Sequence, residues 1–217
     1  MFKKLFPIIT AIILIFAFSP IAEAAPTFIK HAYNKNTNVY YYSIKGSKYK
    51  TVNHKMKLVA KEINKYDIIL KQAAKDEHSE YVYYNKLRPT IKYQKGNRIS
   101  ILTKEIWWAG GSMQYICRSY NLENGKQINL KQAFKSTSAY KKANLQIAKK
   151  IDKTFNDERF DKNGVDPFTG KTALQLVDAF YWSEKGLYVV YSSGTVGPSA
   201  AGHESFKVSN SYAKYYK

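Results

Sequence analysis

Between Ile99 and Phe134 the chain carries two runs rich in β-branched and aromatic residues, and the residues that join them leave little choice of fold. Ile99, Ile101 and Thr103 alternate with Ser100, Leu102 and Lys104, the period-two pattern of a strand with two distinct faces. Gln114 to Tyr120 repeats that composition, and Trp107-Trp108-Ala109-Gly110-Gly111 stands between the two runs. Two glycines after two tryptophans predict a bend where backbone or ligand must approach closely. Asn124-Gly125 follows, a strong two-residue hairpin signal because both residue types tolerate positive φ. Gln127 to Leu130 supplies the returning arm. The stretch predicts an antiparallel unit, and the remaining chain must cover it.

Two helices are available for that task. Val52, Met56, Val59, Ile63, Tyr66, Leu70 and Ala73 recur at spacings of three and four, the apolar stripe of one long helix. Lys55, Lys57, Lys61, Lys65 and Lys71 take much of its remaining surface. A membrane-surface helix shares this pattern, but the adjoining strands need a cover, so packing on the sheet is expected. Ser136, Thr137 or Ser138 can cap a second helix. Tyr140, Ile147, Ala148, Ile151 and Phe155 form its apolar face, and Lys141, Lys142, Lys149, Lys150 and Lys153 point elsewhere.

Shorter β-rich runs complete the set: Val39 to Ile44, Tyr81 to Tyr84, Thr90 to Tyr93 after a turn at Arg88-Pro89, Phe180 to Trp182, Leu187 to Tyr191, and Ser205 to Val208. The expected fold class is α+β, a mainly antiparallel sheet covered by two amphipathic helices, in two tightly joined halves. Residues 25–38 read as an irregular polar arm and 39–135 as the N-terminal half. Residues 136–217 read as a helix and strands that complete the same sheet, ending in the aromatic tail Tyr212, Tyr215 and Tyr216.

Residues 1–24 read as an export signal. Lys3 and Lys4 precede an apolar run from Ile8 to Phe18, and Ala22-Glu23-Ala24 offers small residues to a signal peptidase, so the mature chain is expected to start at Ala25. The apolar run is too short to span a bilayer comfortably. No transmembrane or lipid anchor is expected after cleavage. The single cysteine, Cys117, cannot form an internal disulfide, which for an exported chain points to a Gram-positive host. As a strand residue it is expected to be buried rather than reactive.

Charge bounds the partner. The formal charge is +19, of which Lys3, Lys4 and Glu23 contribute +1, leaving +18 after cleavage. Outside a cell the abundant polyanions are wall polymers and membrane lipids, so envelope association is expected and nucleic acid is not. Catalytic patterns are thin. The 4 histidines, His31, His54, His78 and His203, have no metal-ligand spacing. Asp161 to Asp166 lacks the closing glutamate of a calcium loop and reads as a solvated turn. Glu105 beside Trp107 and Trp108 is the one carboxylate worth considering for glycosidase work, and it lacks an evident partner. The chain reads as non-enzymatic, with no cofactor or metal, and a wall hydrolase is the remote alternative.

The order of Ile99-Ser100-Ile101, Gly110-Gly111, Ser119-Tyr120-Asn121-Leu122, Gly125-Lys126, Leu130, Phe134, Phe180-Tyr181, Gly186-Leu187 and Pro198 to Gly202 resembles a family of exported bacterial domains of unknown function. These domains occur in the extracellular part of RsiV-type anti-sigma factors and ahead of the deacetylase domain of PdaC-type proteins. The resemblance runs from Tyr41 to Phe206. Ser112-Met113 and Gly194-Thr195 stand where the family usually has other polar pairs, so the ligand is expected to differ more than the fold. RsiV-like capture of lysozyme, or of another wall hydrolase, is implied as an alternative function. Common lysozymes are basic and would be repelled by this chain, whose one acidic cluster is Asp76, Glu77 and Glu80.

The leading expectation is a secreted cell-envelope module that binds an anionic wall polymer or peptidoglycan. Trp107, Trp108, Gly110, Gly111, Tyr181 and Pro198 are the candidates for a strand-end glycan or protein site, with the Gly194–Gly202 loop as part of its rim. Lys55, Lys61, Lys65, Lys141, Lys142, Lys149 and Lys150 are the candidates for the polyanion. Most of the tyrosines are expected in the core.

Overall fold

In the computed structural model, which describes residues 25–76, 84–109 and 112–214, the alternation that begins at Ile99 becomes the central strand β4 (Arg98–Ala109). It lies antiparallel between β3 (Tyr84–Lys95) and β5 (Ser112–Glu123), with Ile101 opposite Ile91 on one side and Tyr120 on the other. β1 (Phe28–Tyr33), β2 (Asn36–Ile44) and β6 (Lys126–Gln127) extend this to a six-stranded sheet in the order β1-β2-β3-β4-β5-β6. Asn124 and Gly125 take φ of 53° and 78°, the positive values that a type I′ connection between β5 and β6 requires.

The two faces of β4 have different covers. Helix α1 (Lys50–Asp76) lays Val52 and Met56 on Ile99, Ile101, Tyr120 and Leu122, while Ala60 and Ile63 meet Val39 and Leu87. A fully buried aliphatic side chain contributes roughly 1.5–3 kcal/mol, so this stripe holds the helix without help from helix propensity. On the other face, Leu102 and Cys117 meet Ala179 and Val190. These belong to a separate three-stranded sheet, β11-β10-β9, built from β9 (Ala179–Ser183), β10 (Gly186–Tyr191) and β11 (Glu204–Lys207). Helix α2 (Thr137–Phe155) is capped by Ser136, whose side chain accepts from the Ala139 N–H. It buries Ala143, Ile147, Ala148 and Ile151 in one cluster with Trp182, Leu187, Val189 and Tyr191.

Several expectations change. Residues 25–38 are not an irregular arm: Phe28–Tyr33 pairs with Asn36–Ile44 as a hairpin, turned by Asn34 and Lys35 at positive φ. The C-terminal strands do not complete the first sheet. They meet it through side chains, because Ser100, Ser119 and Asn121 occupy the positions where ladder bonds would otherwise run. Each helix therefore covers its own sheet. No turn interrupts Arg88-Pro89. β3 runs straight through, and β2 meets it only at the Val39–Leu87 bridge, so Pro89 lies where a missing N–H costs little.

The expected solvated turn, Asp161 to Asp166, is exposed only as far as Asn163. β7 (Val165–Asp166) pairs with β8 (Lys171–Thr172), and the buried Asp166 carboxylate accepts from the Arg159 guanidinium at 2.8 Å. Tyr66, expected on the inward stripe of α1, is 57% exposed. The leader 1–24, Glu77, His78, Glu80, the Tyr81 to Tyr83 part of a proposed strand, Gly110, Gly111, and the tail residues Tyr215 and Tyr216 lie outside the described residues.

Candidate functional site

Strand alternation sends Trp107 and Trp108 to opposite faces of the sheet, so they cannot form one platform. Trp107 shares the α1 side with Glu105, and both tryptophans are half-buried. Trp108 lies on the other side, directly between Tyr84 and Met113 in the ladder. Its ring is parallel to that of Tyr84, with centroids 6.3 Å apart and 14° between planes.

Register then places a set of side chains on the face that α1 does not cover. Lys86, Ile106 and Tyr115 form the next row, and Arg88, Lys104 and Cys117 the one after it. The Lys86 ammonium lies 3.9 Å from the Tyr84 ring centre. Lys30 and Arg88 both lie over Tyr40, at 4.3 and 5.1 Å, and Arg88 also donates to the Asn38 carbonyl. Cations held against aromatic faces gain about 0.5–1 kcal/mol each at such exposed positions. Across the three rows from Tyr84 to Arg88 on β3 there is no carboxylate on this face.

The loop after β10 forms one wall of the site. Ser193 exchanges two bonds with Tyr115, its N–H donating to the Tyr115 carbonyl at 2.9 Å and its Oγ accepting from the Tyr115 N–H at 2.9 Å. Ser192 Oγ accepts from the Cys117 N–H at 3.0 Å. Thus docked on β5, the loop brings Ser199 to Gly202 against Trp108, Ser112, Met113 and Tyr115 around an open concavity of about 650 Å³. Gly202 has φ 80°, a backbone conformation that favours glycine, and a Cβ there would only touch the Tyr115 ring, at 3.6 Å. His203 follows with its ring 5.3 Å from that of Tyr115. Its pKa is lowered by burial and by the charges of Lys104 and Lys92. Lys92 is itself lowered by burial and by Lys104.

The Trp corner and the Gly194–Gly202 loop thus meet, through Trp108 and residues 199–202. Pro198 is exposed and opens the turn Ser199–Ala201. Tyr181 does not join them. It stacks on Tyr188 at 5.2 Å beneath Lys92, packed against the Leu102 cluster, and burial raises its pKa. Glu105 is not a free carboxylate either, since it accepts from Asn85 at 2.9 Å and pairs with Arg118 at 2.6 Å. Of the candidate lysines, Lys61, Lys65, Lys141, Lys142 and Lys149 are exposed on the helices. Lys55 bonds Gln127, and Lys150 bonds the Lys207 carbonyl.

Sequence reasoning missed Tyr84, Lys86, Arg88, Lys104 and Tyr115. Their signal was present. In Tyr84 to Arg88 two cations and an aromatic alternate with Asn85 and Leu87, the pattern of a strand with one charged face.

Comparison with known proteins bears on the fold. Residues 130–211 match DUF3298, a protein family of unknown function. The DUF3298 segment covers α2, β7 to β11 and the loop wall of the concavity, whereas Trp108, Lys86, Arg88 and Lys104 precede it. A DUF3298 family member from Bacteroides fragilis NCTC 9343, BF2082, has a similar structure at TM-score 0.51 and 14% identity, covering 86% of this chain and 91% of that one. A DUF3298 family protein from Pseudomonas aeruginosa PAO1, PA4972, aligns over 87% of this chain and 93% of that one at 11% identity and TM-score 0.48. No curated protein matches the chain.

Proposed function

We propose that this chain is an exported, non-enzymatic binding module of the cell envelope, and that it holds an anionic glycan on the sheet face opposite α1. The observation that carries this reading is the carboxylate-free row of Lys86, Arg88 and Lys104 interleaved with Tyr84, Trp108 and Tyr115, leading into the concavity. Aromatic faces suit the apolar faces of sugar rings. Lys86, already leaning on the Tyr84 ring, and Arg88, leaning on Tyr40, lose little freedom when they meet an anion. The concavity lies in the roughly 300–1,000 Å³ range of small-ligand clefts. The net charge, +19 in all and +18 once Lys3, Lys4 and Glu23 are removed, adds long-range attraction to a polyanion.

Sedimentation with purified walls, with and without their teichoic acid, tests the proposal over a salt series. Binding is expected to need the anionic polymer and to weaken as salt rises. The Lys86→Gln, Arg88→Gln, Lys104→Gln variant is expected to lose most of it, and Trp108→Ala is expected to weaken it at every salt concentration. Equal binding to stripped walls, or insensitivity to salt, overturns the reading. Nanomolar binding of a basic lysozyme that the same variants abolish would reassign the face to a protein.

A further inference from the structure

The outer surface of α1 carries a second pattern that neither the core nor the glycan site uses. The helix is 27 residues long, about 40 Å at 1.5 Å per residue. Its inward stripe is filled by Val52, Met56, Ala60 and Ile63. On the outward side Leu58, Tyr66, Ile68 and Ile69 are 44%, 57%, 58% and 49% exposed. At about 100° per residue, Leu58 and Ile69 fall on one line along the helix with Lys65, flanked by Ile68 and Lys61 on one side and Tyr66 on the other. Single exposed apolar residues need no explanation, but four on one helix face do.

The charges on this face decide between occupants. Lys57, Lys61, Lys65 and Lys75 are exposed there, against Glu62 and Asp76, the latter accepting from Gln72. Lys71 is turned to the buried Asp67. A second copy docked through this face would set lysines against lysines, a repulsive arrangement. A purely apolar groove would leave them unpaired. An anionic lipid surface offers an apolar boundary for the four side chains and headgroup charge for the lysines at one depth. Among the described residues no helix is long and apolar enough to cross a membrane. Lying on the surface is the geometry that remains for α1 at a bilayer.

We propose that the outer face of α1 docks flat on an anionic lipid bilayer. The proposed glycan site lies on the far side of the sheet from α1, at the end that β9 and β10 leave uncovered, so a docked molecule presents Trp108, Lys86 and Arg88 away from the membrane. The membrane contact does not depend on the glycan reading.

The test uses the chain from Ala25 onward, which contains every described residue and lacks the apolar leader. Sedimentation with phosphatidylcholine vesicles is compared with vesicles in which a third of the lipid is phosphatidylglycerol. Binding is expected only to the anionic vesicles and is expected to fall with salt. Each of Lys57→Gln, Lys61→Gln and Lys65→Gln should lower partitioning about fivefold. Ile68→Ser combined with Ile69→Ser should lower it about tenfold. Because these residues are exposed, far-UV spectra and urea midpoints should not change. The Lys86→Gln, Arg88→Gln, Lys104→Gln variant should bind vesicles normally while losing wall binding, which separates failure of one proposal from failure of the other. Absence of vesicle binding overturns the membrane proposal, as does binding that none of the three lysine variants nor Ile68→Ser with Ile69→Ser lowers. Self-association in sedimentation velocity that Ile68→Ser with Ile69→Ser abolishes would give the face to a second copy instead.

Discussion

Asn121 joins the two sheets, and its replacement by leucine should be among the most damaging conservative changes in the chain. The side chain is 1% exposed. Its Oδ1 accepts from Ser100 Oγ at 2.6 Å, and its Nδ2 donates to the Phe180 carbonyl at 2.7 Å and to Ser119 Oγ at 3.1 Å. Ser100 Oγ accepts from the Trp182 N–H at 3.0 Å, and Ser119 Oγ from the Phe180 N–H at 3.1 Å. Leucine keeps the volume but strands the Phe180 carbonyl and the Ser100 hydroxyl, each at about 1–3 kcal/mol for a buried group without a partner. The expected loss is about 3–4 kcal/mol, a large share of the roughly 5–15 kcal/mol that holds a domain together. Ser100→Ala, which strands the Trp182 N–H, should lose about 2 kcal/mol. Urea unfolding measures both through the midpoint at constant m. The double variant should lose less than the two single losses combined, because the hydroxyl and the amide serve one network. A loss below about 1 kcal/mol for Asn121→Leu, or strict additivity, would refute the view that these polar groups fasten the sheets.

Three further outcomes follow from the buried charges and the thiol. Burial and the charges of Lys104 and Lys92 hold His203 below its ordinary 6.5, so a bound anion, which favours the protonated ring, should bind more tightly as pH falls through that region; Glu204 is its chain neighbour, and His203→Gln should flatten the profile of wall binding against pH. In Asp166 burial alone would raise the pKa, but the Arg159 hydrogen bonds and the Phe168 N–H outweigh it and leave the carboxyl below 3.8, so its stabilisation is present at neutral pH and lost as pH falls below about 4. Arg159→Leu, which abandons that buried carboxylate, should cost about 3 kcal/mol in urea unfolding. Burial pushes the Cys117 thiol up to about 11, so iodoacetamide at pH 8 should label it slowly in the folded protein and rapidly in denaturant, as mass spectrometry would show.

What could be read from the chain divides along a physical line. Periodicity is local, so the α1 stripe, the Asn124-Gly125 turn, the Ser136 cap and the alternation at Ile99 were all legible. The partner of each face is not local. Nothing in Phe180-Tyr181-Trp182 says whether those residues pair in the first sheet or pack across it. Ser100 and Asn121 decide that, and both are polar residues that look solvent-facing when read alone. Phe28 to Tyr33 failed for another reason. Asn34, Lys35 and Asn36 directly after it masked a strand whose stability comes from partners 3 to 16 residues further on, including the His31–Tyr41 stack at 4.9 Å. The candidate site was half legible, because Trp108 and the Ser199–Gly202 loop could be singled out but not joined. The bonds from Ser192 and Ser193 to β5 join them, across 75 to 78 residues of chain.

The same alternation ties the site to the fold. In β3, Asn85, Leu87 and Pro89 are buried while Tyr84, Lys86 and Arg88 face outward. A slip of one residue would invert the set, burying two cations and exposing the apolar positions. Hydrophobicity alone guards this register weakly, since a short run with a single leucine and a proline has little apolar contrast. Asn85 supplies what is missing. Its N–H donates to the buried Asp67 of α1 at 3.0 Å, and its Nδ2 donates to Glu105 of β4 at 2.9 Å. Only one register satisfies both carboxylates at once. Burying Asp67 and Glu105 is unfavourable for stability compared with an apolar pair. What the arrangement secures is placement, with Lys86 and Arg88 outward beside Trp108 and α1 seated on the opposite face, so the buried polar network under the helix positions the cation–aromatic surface above it.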